Sequence, residues 1–170
     1  MTKGEIAKLN FQSGLNCAQA VVLAFADRTG LDEHTSAKMA SSFGGGFGRM
    51  REVCGTFSGM VLVLGLLYGY DAANETETAN KKLHYARVQA LAERFRAEFG
   101  SIICRELLTG KAKEEMKKGE NADGEQVAAM LSDSAEPTPR TEAYSKKRPC
   151  PEIVETGARI LEAFMAELES

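Results

Sequence analysis

Apolar residues recur at helical spacing along almost the whole chain, and no run rich in β-branched residues alternates with a period of two. That pattern predicts an all-α fold, a bundle of about six to seven helices. With 170 residues the chain can bury one sizeable core, so it reads as a single domain over 1–170.

A first helix is expected over Lys3 to Phe11 and a second from Asn16 to Arg28, stopped by Gly30. Asp32 can cap a third helix through Ser42, after which Gly44-Gly45-Gly46-Phe47-Gly48 makes a loop. The fourth, Glu52 to Tyr68, is apolar on nearly every side beyond Met60 and is expected at the centre. Gly55 and Gly59, one turn apart on it, would let a neighbouring backbone come close. Asn74 and Glu77 have the spacing of a capping box for a long fifth helix, whose stripe of Val88, Leu91, Phe95 and Phe99 runs to a stop at Gly100. A shorter helix covers Ser101 to Thr109, and the last, Pro151 to Glu167, aligns Ile153, Gly157, Ile160, Leu161, Phe164 and Leu168. Between them, from about 111 to 148, the pattern fails; this stretch reads as a polar, mobile connector with one short helix from Glu125 to Leu131.

Four cysteines carry the chemistry. Cys17, Cys54, Cys104 and Cys150 each fall at or near an expected helix start, where unpaired N–H groups and the positive end of the helix dipole favour thiolate over thiol. Thiolate is the form that attacks disulfides and binds metal. No Cys-x-x-Cys pair is present, so only tertiary packing can join the four into one redox or metal-binding site. Cys54 is the one expected to be most acidic, below the usual value of about 8.5, because Arg49 and Arg51 lie just upstream and glycines around it expose backbone donors. Gly55 is counted with the cysteines as a cofactor-binding position.

Cys54-Gly55-Thr56-Phe57-Ser58-Gly59 resembles the Cys-Gly-Ala-x-x-Gly motif of the C_GCAxxG_C_C family, with Thr56 in place of the usual alanine. Asn16-Cys17-Ala18-Gln19-Ala20-Val21 resembles that family's first cysteine segment. The stretch from Phe99 through Cys104 to Leu107 resembles the third, and Cys150-Pro151-Glu152-Ile153-Val154 the fourth. The likeness covers roughly Phe11 to Leu161. It implies a redox-active protein, an oxidoreductase or electron carrier acting with a redox partner not identified by the sequence. Some similar domains are joined to multihaem cytochromes, which implies electron transfer and an iron–sulfur centre; the resemblance also allows a homodimer.

Other features point elsewhere less well. His34 and His84 are the only histidines, which leaves little for a Cys–His catalytic pair. Gly44 to Gly48 lacks the Gly-Lys-Ser/Thr ending of a phosphate-binding loop and reads as a flexible approach to Cys54. A net charge of -3 and a pI near 5.5 give no basic footprint for nucleic acid. The longest apolar run, Met60 to Leu67, is too short to span a bilayer, and the amino terminus has no secretory core, so a cytoplasmic, reducing setting is expected.

Two classes of function therefore compete. One is an electron or thiol–disulfide transfer protein that uses cysteine pairs or a labile iron–sulfur cluster held by Cys17, Cys54, Cys104 and Cys150. The other is a non-catalytic protein in which the same four thiolates close a structural zinc site.

Overall fold

The computed structural model describes residues 1–71, 78–117, 128, 131–132, 134–139, 141, 144 and 148–170. Among them the chain is helical, with no strand, as the periodicity predicts. The helices are α1 (Lys3–Gln12), α2 (Cys17–Ala24), α3 (Ala26–Thr29), α4 (Glu33–Ala40), α5 (Gly55–Tyr68), α6 (Thr78–Phe99), α7 (Cys104–Lys117) and α8 (Cys150–Leu168).

Local chemistry sets the boundaries. Thr2 and Glu5 form a capping box on α1, and Asn16 and Gln19 form another on α2, where the Gln19 N–H donates to Asn16 Oδ1 at 2.9 Å. The helix expected from Asn16 to Arg28 is broken at Phe25, whose backbone leaves the helical region while its ring is buried; α3 then stops at left-handed Gly30. The third expected helix tightens into a 3-10 turn at Ser41–Phe43. Residues 52–54 are not helical, because Val53 pairs with Ile103 in an isolated antiparallel bridge that delays the start of α5 to Gly55. The proposed capping box at Asn74 and Glu77 lies outside the described residues. α7 runs on to Lys117, past the stop expected at Thr109: Lys111 to Lys117 are all good helix formers, so Gly110 alone does not end it. The connector therefore begins later than position 111, and the short helix expected from Glu125 to Leu131 falls mostly outside the described residues.

One cluster of buried side chains joins the elements. α5 packs against α2, α6 and α8, and α1 lies between α2 and α8. The enclosed part of α5 is Gly55 to Met60 with Val63 and Leu64, whereas Leu66 is exposed; the helix is central near the cysteine, not at its apolar end. Gly59 makes the α2 crossing possible, since a Cβ there would lie 2.8 Å from the Ala18 carbonyl oxygen. No helix among the described residues is long and apolar enough to cross a membrane.

Candidate functional site: a cavity among four helix starts

All four cysteines sit at helix starts, as expected. Cys17, Cys104 and Cys150 are the first residues of α2, α7 and α8, and Cys54 is the N-cap of α5. The cysteines carry thiols, buried at Cys54 and Cys104 and half-buried at Cys17 and Cys150. Despite their spacing along the chain, they line one cavity of about 500 Å³.

The Val53–Ile103 bridge explains how two of them meet. The Cys54 N–H donates to the Ile102 carbonyl at 2.8 Å, and the Cys104 N–H to the Glu52 carbonyl at 2.6 Å, so the entries to α5 and α7 are tied back to back. Side chains alternate along such a pairing, which turns Cys54 and Cys104 to the face opposite Val53 and Ile103. Cys17 joins them because residue 55 is glycine: a Cβ on Gly55 would lie 3.0 Å from Cys17 Cβ and 2.8 Å from the Phe43 carbonyl oxygen. Cys150 is held by Pro149 and Pro151, which bracket the first turn of α8.

The loop before Cys54 is wound, not slack. Gly48, Arg49, Arg51 and Glu52 donate their N–H groups to Ser42, Gly44, Gly45 and Gly46 in turn. Phe47, Arg49 and Arg51 take positive φ values of 58°, 71° and 61°, a conformation that costs non-glycine residues roughly 1 kcal/mol or more each. That strain presents two arginines to the cavity. Arg51 is only 2% exposed and donates through Nε and Nη2 to the Ser132 carbonyl; Arg49 donates to the Ser134 carbonyl at 2.6 Å and to Thr138 Oγ1 at 3.0 Å. A third arginine on the wall, Arg148, stacks on Tyr144 with its guanidinium carbon 4.8 Å from the ring centre.

Cys54 is not acidic, contrary to the expectation from its neighbours in sequence. Burial pushes its thiol up to about 12, and the charges of Cys104 and Cys150 act in the same direction, while hydrogen bonds from the Phe57 and Thr56 N–H groups oppose. The Cys104 thiol is also raised, by burial and then by Cys150, but Arg51 and Arg148 favour its charged form. Arg51 thus serves Cys104 and not Cys54. Burial, with repulsion from Arg51 and Arg148, in turn holds the Arg49 guanidinium below its usual range.

The raised Cys54 thiol has a consequence for stability. The folded chain holds this proton more tightly than the unfolded chain, so the contribution is complete below about pH 9 and is lost as pH climbs from 9.0 toward 12. Urea unfolding between about pH 8 and 10 should show stability falling by about 1 kcal/mol per unit above 9, with a shallower slope in Cys54→Ala. Equal slopes in the two proteins would contradict the buried, protonated thiol.

Reasoning from sequence missed Arg148 as part of this wall. A usable signal was present: an arginine stands within three positions of Cys54, Cys104 and Cys150. Neither His34 nor His84 lines the cavity. Among the described residues no group of three or more cysteine, histidine, aspartate or glutamate side chains is placed to hold a metal ion.

A family model described as "Putative redox-active protein (C_GCAxxG_C_C)" matches residues 15–164. No curated protein and no solved structure matches the chain.

Proposed function

Because the chain belongs to the C_GCAxxG_C_C family, we propose that its redox activity is thiol–disulfide exchange by Cys17, Cys54, Cys104 and Cys150. The observation that carries this reading is the single cavity that all four thiols line. Cys150 and Cys104 exchange first: Cys150 is half-buried, its charge is felt by both Cys54 and Cys104, and Arg51 and Arg148 support a thiolate at Cys104. Cys54, buried and held protonated, and Cys17, packed against Gly55, form the reserve behind that pair. A reducing cytoplasm would keep the set as thiols between turnovers.

A cluster held by Cys17, Cys54, Cys104 and Cys150 is the second reading, favoured by four thiols around one cavity; when bound it would supply one-electron transfer. Zinc suits the side chains less well, since tetrahedral binding needs four sulfurs each about 2.3 Å from one point and no such grouping is formed among the described residues.

Protein purified without oxygen separates these readings. Thiol exchange predicts a colourless protein without stoichiometric metal that loses a pair of thiols for each equivalent of a small disulfide added. A brown chromophore with bound iron would transfer the assignment to the cluster, and stoichiometric zinc with unreactive thiols would reject redox chemistry.

A further inference from the structure

The charge of the cavity wall is one-sided. Arg49, Arg51 and Arg148 all line it, whereas no aspartate or glutamate does among the described residues. None of the three arginines has a carboxylate within ion-pair distance among those residues. Among the described residues Arg49 and Arg51 donate to two carbonyls and one hydroxyl, and Arg51 also reaches the Cys104 sulfur. A guanidinium as deeply buried as that of Arg51 ordinarily faces an anion, because removing its charge from water is costly.

A further observation points the same way. The starts of α2, α5, α7 and α8 all open on this cavity, so four helix dipoles turn their positive ends toward it. Thr56 also lines the cavity, with its methyl group against Gly157 and with Oγ1 buried and without a hydrogen-bond partner among the described residues.

We propose that the cavity binds a small carboxylate-bearing disulfide, with Arg49, Arg51 and Arg148 as the anion receptor and the cysteines as the exchanging thiols. The anion receptor stands on its own, and the disulfide part rests on the thiol-exchange reading above. In the reaction, the Cys150 thiolate attacks one sulfur of the small disulfide, forming a mixed disulfide and expelling the other half as a thiolate. The Cys104 thiolate then attacks the Cys150 sulfur and releases the second half. The two cysteines together lose two electrons and two protons, and the small disulfide gains them as two thiols. The guanidinium groups stabilise the carboxylates throughout and the departing thiolates as they form. The volume, about 500 Å³, suits a molecule of this size.

Thiodiglycolate, a dicarboxylate thioether that cannot exchange, tests the receptor alone by calorimetry on the full-length reduced protein. Saturable binding that weakens steeply with added salt, and at least tenfold in Arg49→Gln, is expected; no saturable binding at low salt overturns the proposal. Dithiodiglycolate and the neutral bis(2-hydroxyethyl) disulfide then test the substrate class. The ratio of their rates should exceed the ratio for cysteine in solution at least tenfold, and should fall several-fold in Arg49→Gln or in wild type at high salt. A ratio equal to that of cysteine in solution overturns the preference for an anion. Binding of thiodiglycolate with no oxidation by either disulfide overturns the exchange reading instead, and with it the substrate class. The salt series on wild type keeps the test decisive if Arg49→Gln folds poorly.

Discussion

Cys150→Ser is expected to slow oxidation by small disulfides on the order of a hundredfold or more, because a serine hydroxyl cannot replace the thiolate as attacking group. The fold should survive. Ile153, Val154, Leu161 and Phe164 remain buried along α8, and Pro149 and Pro151 still shape its first turn. A half-buried side chain changed by one atom should alter stability by no more than about 1 kcal/mol. Stopped-flow oxidation and thermal melts, run side by side with wild type, read the two effects separately. If oxidation is unimpaired, Cys150 is not the entry thiol; if the melt collapses instead, the residue holds the structure, as a zinc ligand would.

Gly46→Val should damage both stability and chemistry. Gly46 has φ +73°, and a Cβ there would lie 2.8 Å from Cys104 Cβ, 2.8 Å from the Glu52 nitrogen and 3.0 Å from the Arg51 carbonyl carbon. Two of those atoms belong to the backbone of the wound loop and cannot swing aside. A β-branched residue in the left-handed region, together with forced separation of loop and helix, should cost about 3 kcal/mol or more. It should also part Arg51 from Cys104, so that the Cys104 thiol reacts more slowly even in the fraction that folds. Gly48 offers the comparison: φ is +56°, but nothing lies within 4 Å of its Cβ position, so Gly48→Ala should show the backbone cost without the clash. Similar losses at the two positions would mean that the packing around Cys104 carries little weight.

The parts of this site written in short-range chemistry were legible. Asn16 with Gln19, Gly100 with Ser101, and Pro149 with Pro151 mark helix starts within one turn, so the cysteines beside them could be placed there from sequence. Phe25 shows the limit: its break depends on what its ring packs into, and the local pattern favours an unbroken helix. The acidity assigned to Cys54 failed for a related reason. Antiparallel pairing sets Arg51 and Glu52 against Cys104 and Arg105, through the bonds Cys104 N–H to Glu52 and Arg105 N–H to Arg51, so the arginine three positions before Cys54 serves a different cysteine. Likewise the glycine run looked like slack chain, whereas its hydrogen bonds and left-handed residues make it the piece that aims Arg49 and Arg51. Burial and pairing across long separations decide pKa values and charge placement, and neither can be read from neighbours in sequence.

The most direct measurement of the central claim is a redox titration without oxygen, in which the protein is equilibrated with dithiol–disulfide buffers and each cysteine is quantified by differential alkylation and mass spectrometry. Cys104 and Cys150 should pass together from thiol to one intramolecular disulfide in a single two-electron step, with Cys54 and Cys17 changing only at more oxidising potentials. Four cysteines that remain alkylatable as thiols at every potential, or that oxidise only into random intermolecular pairs, would contradict the account.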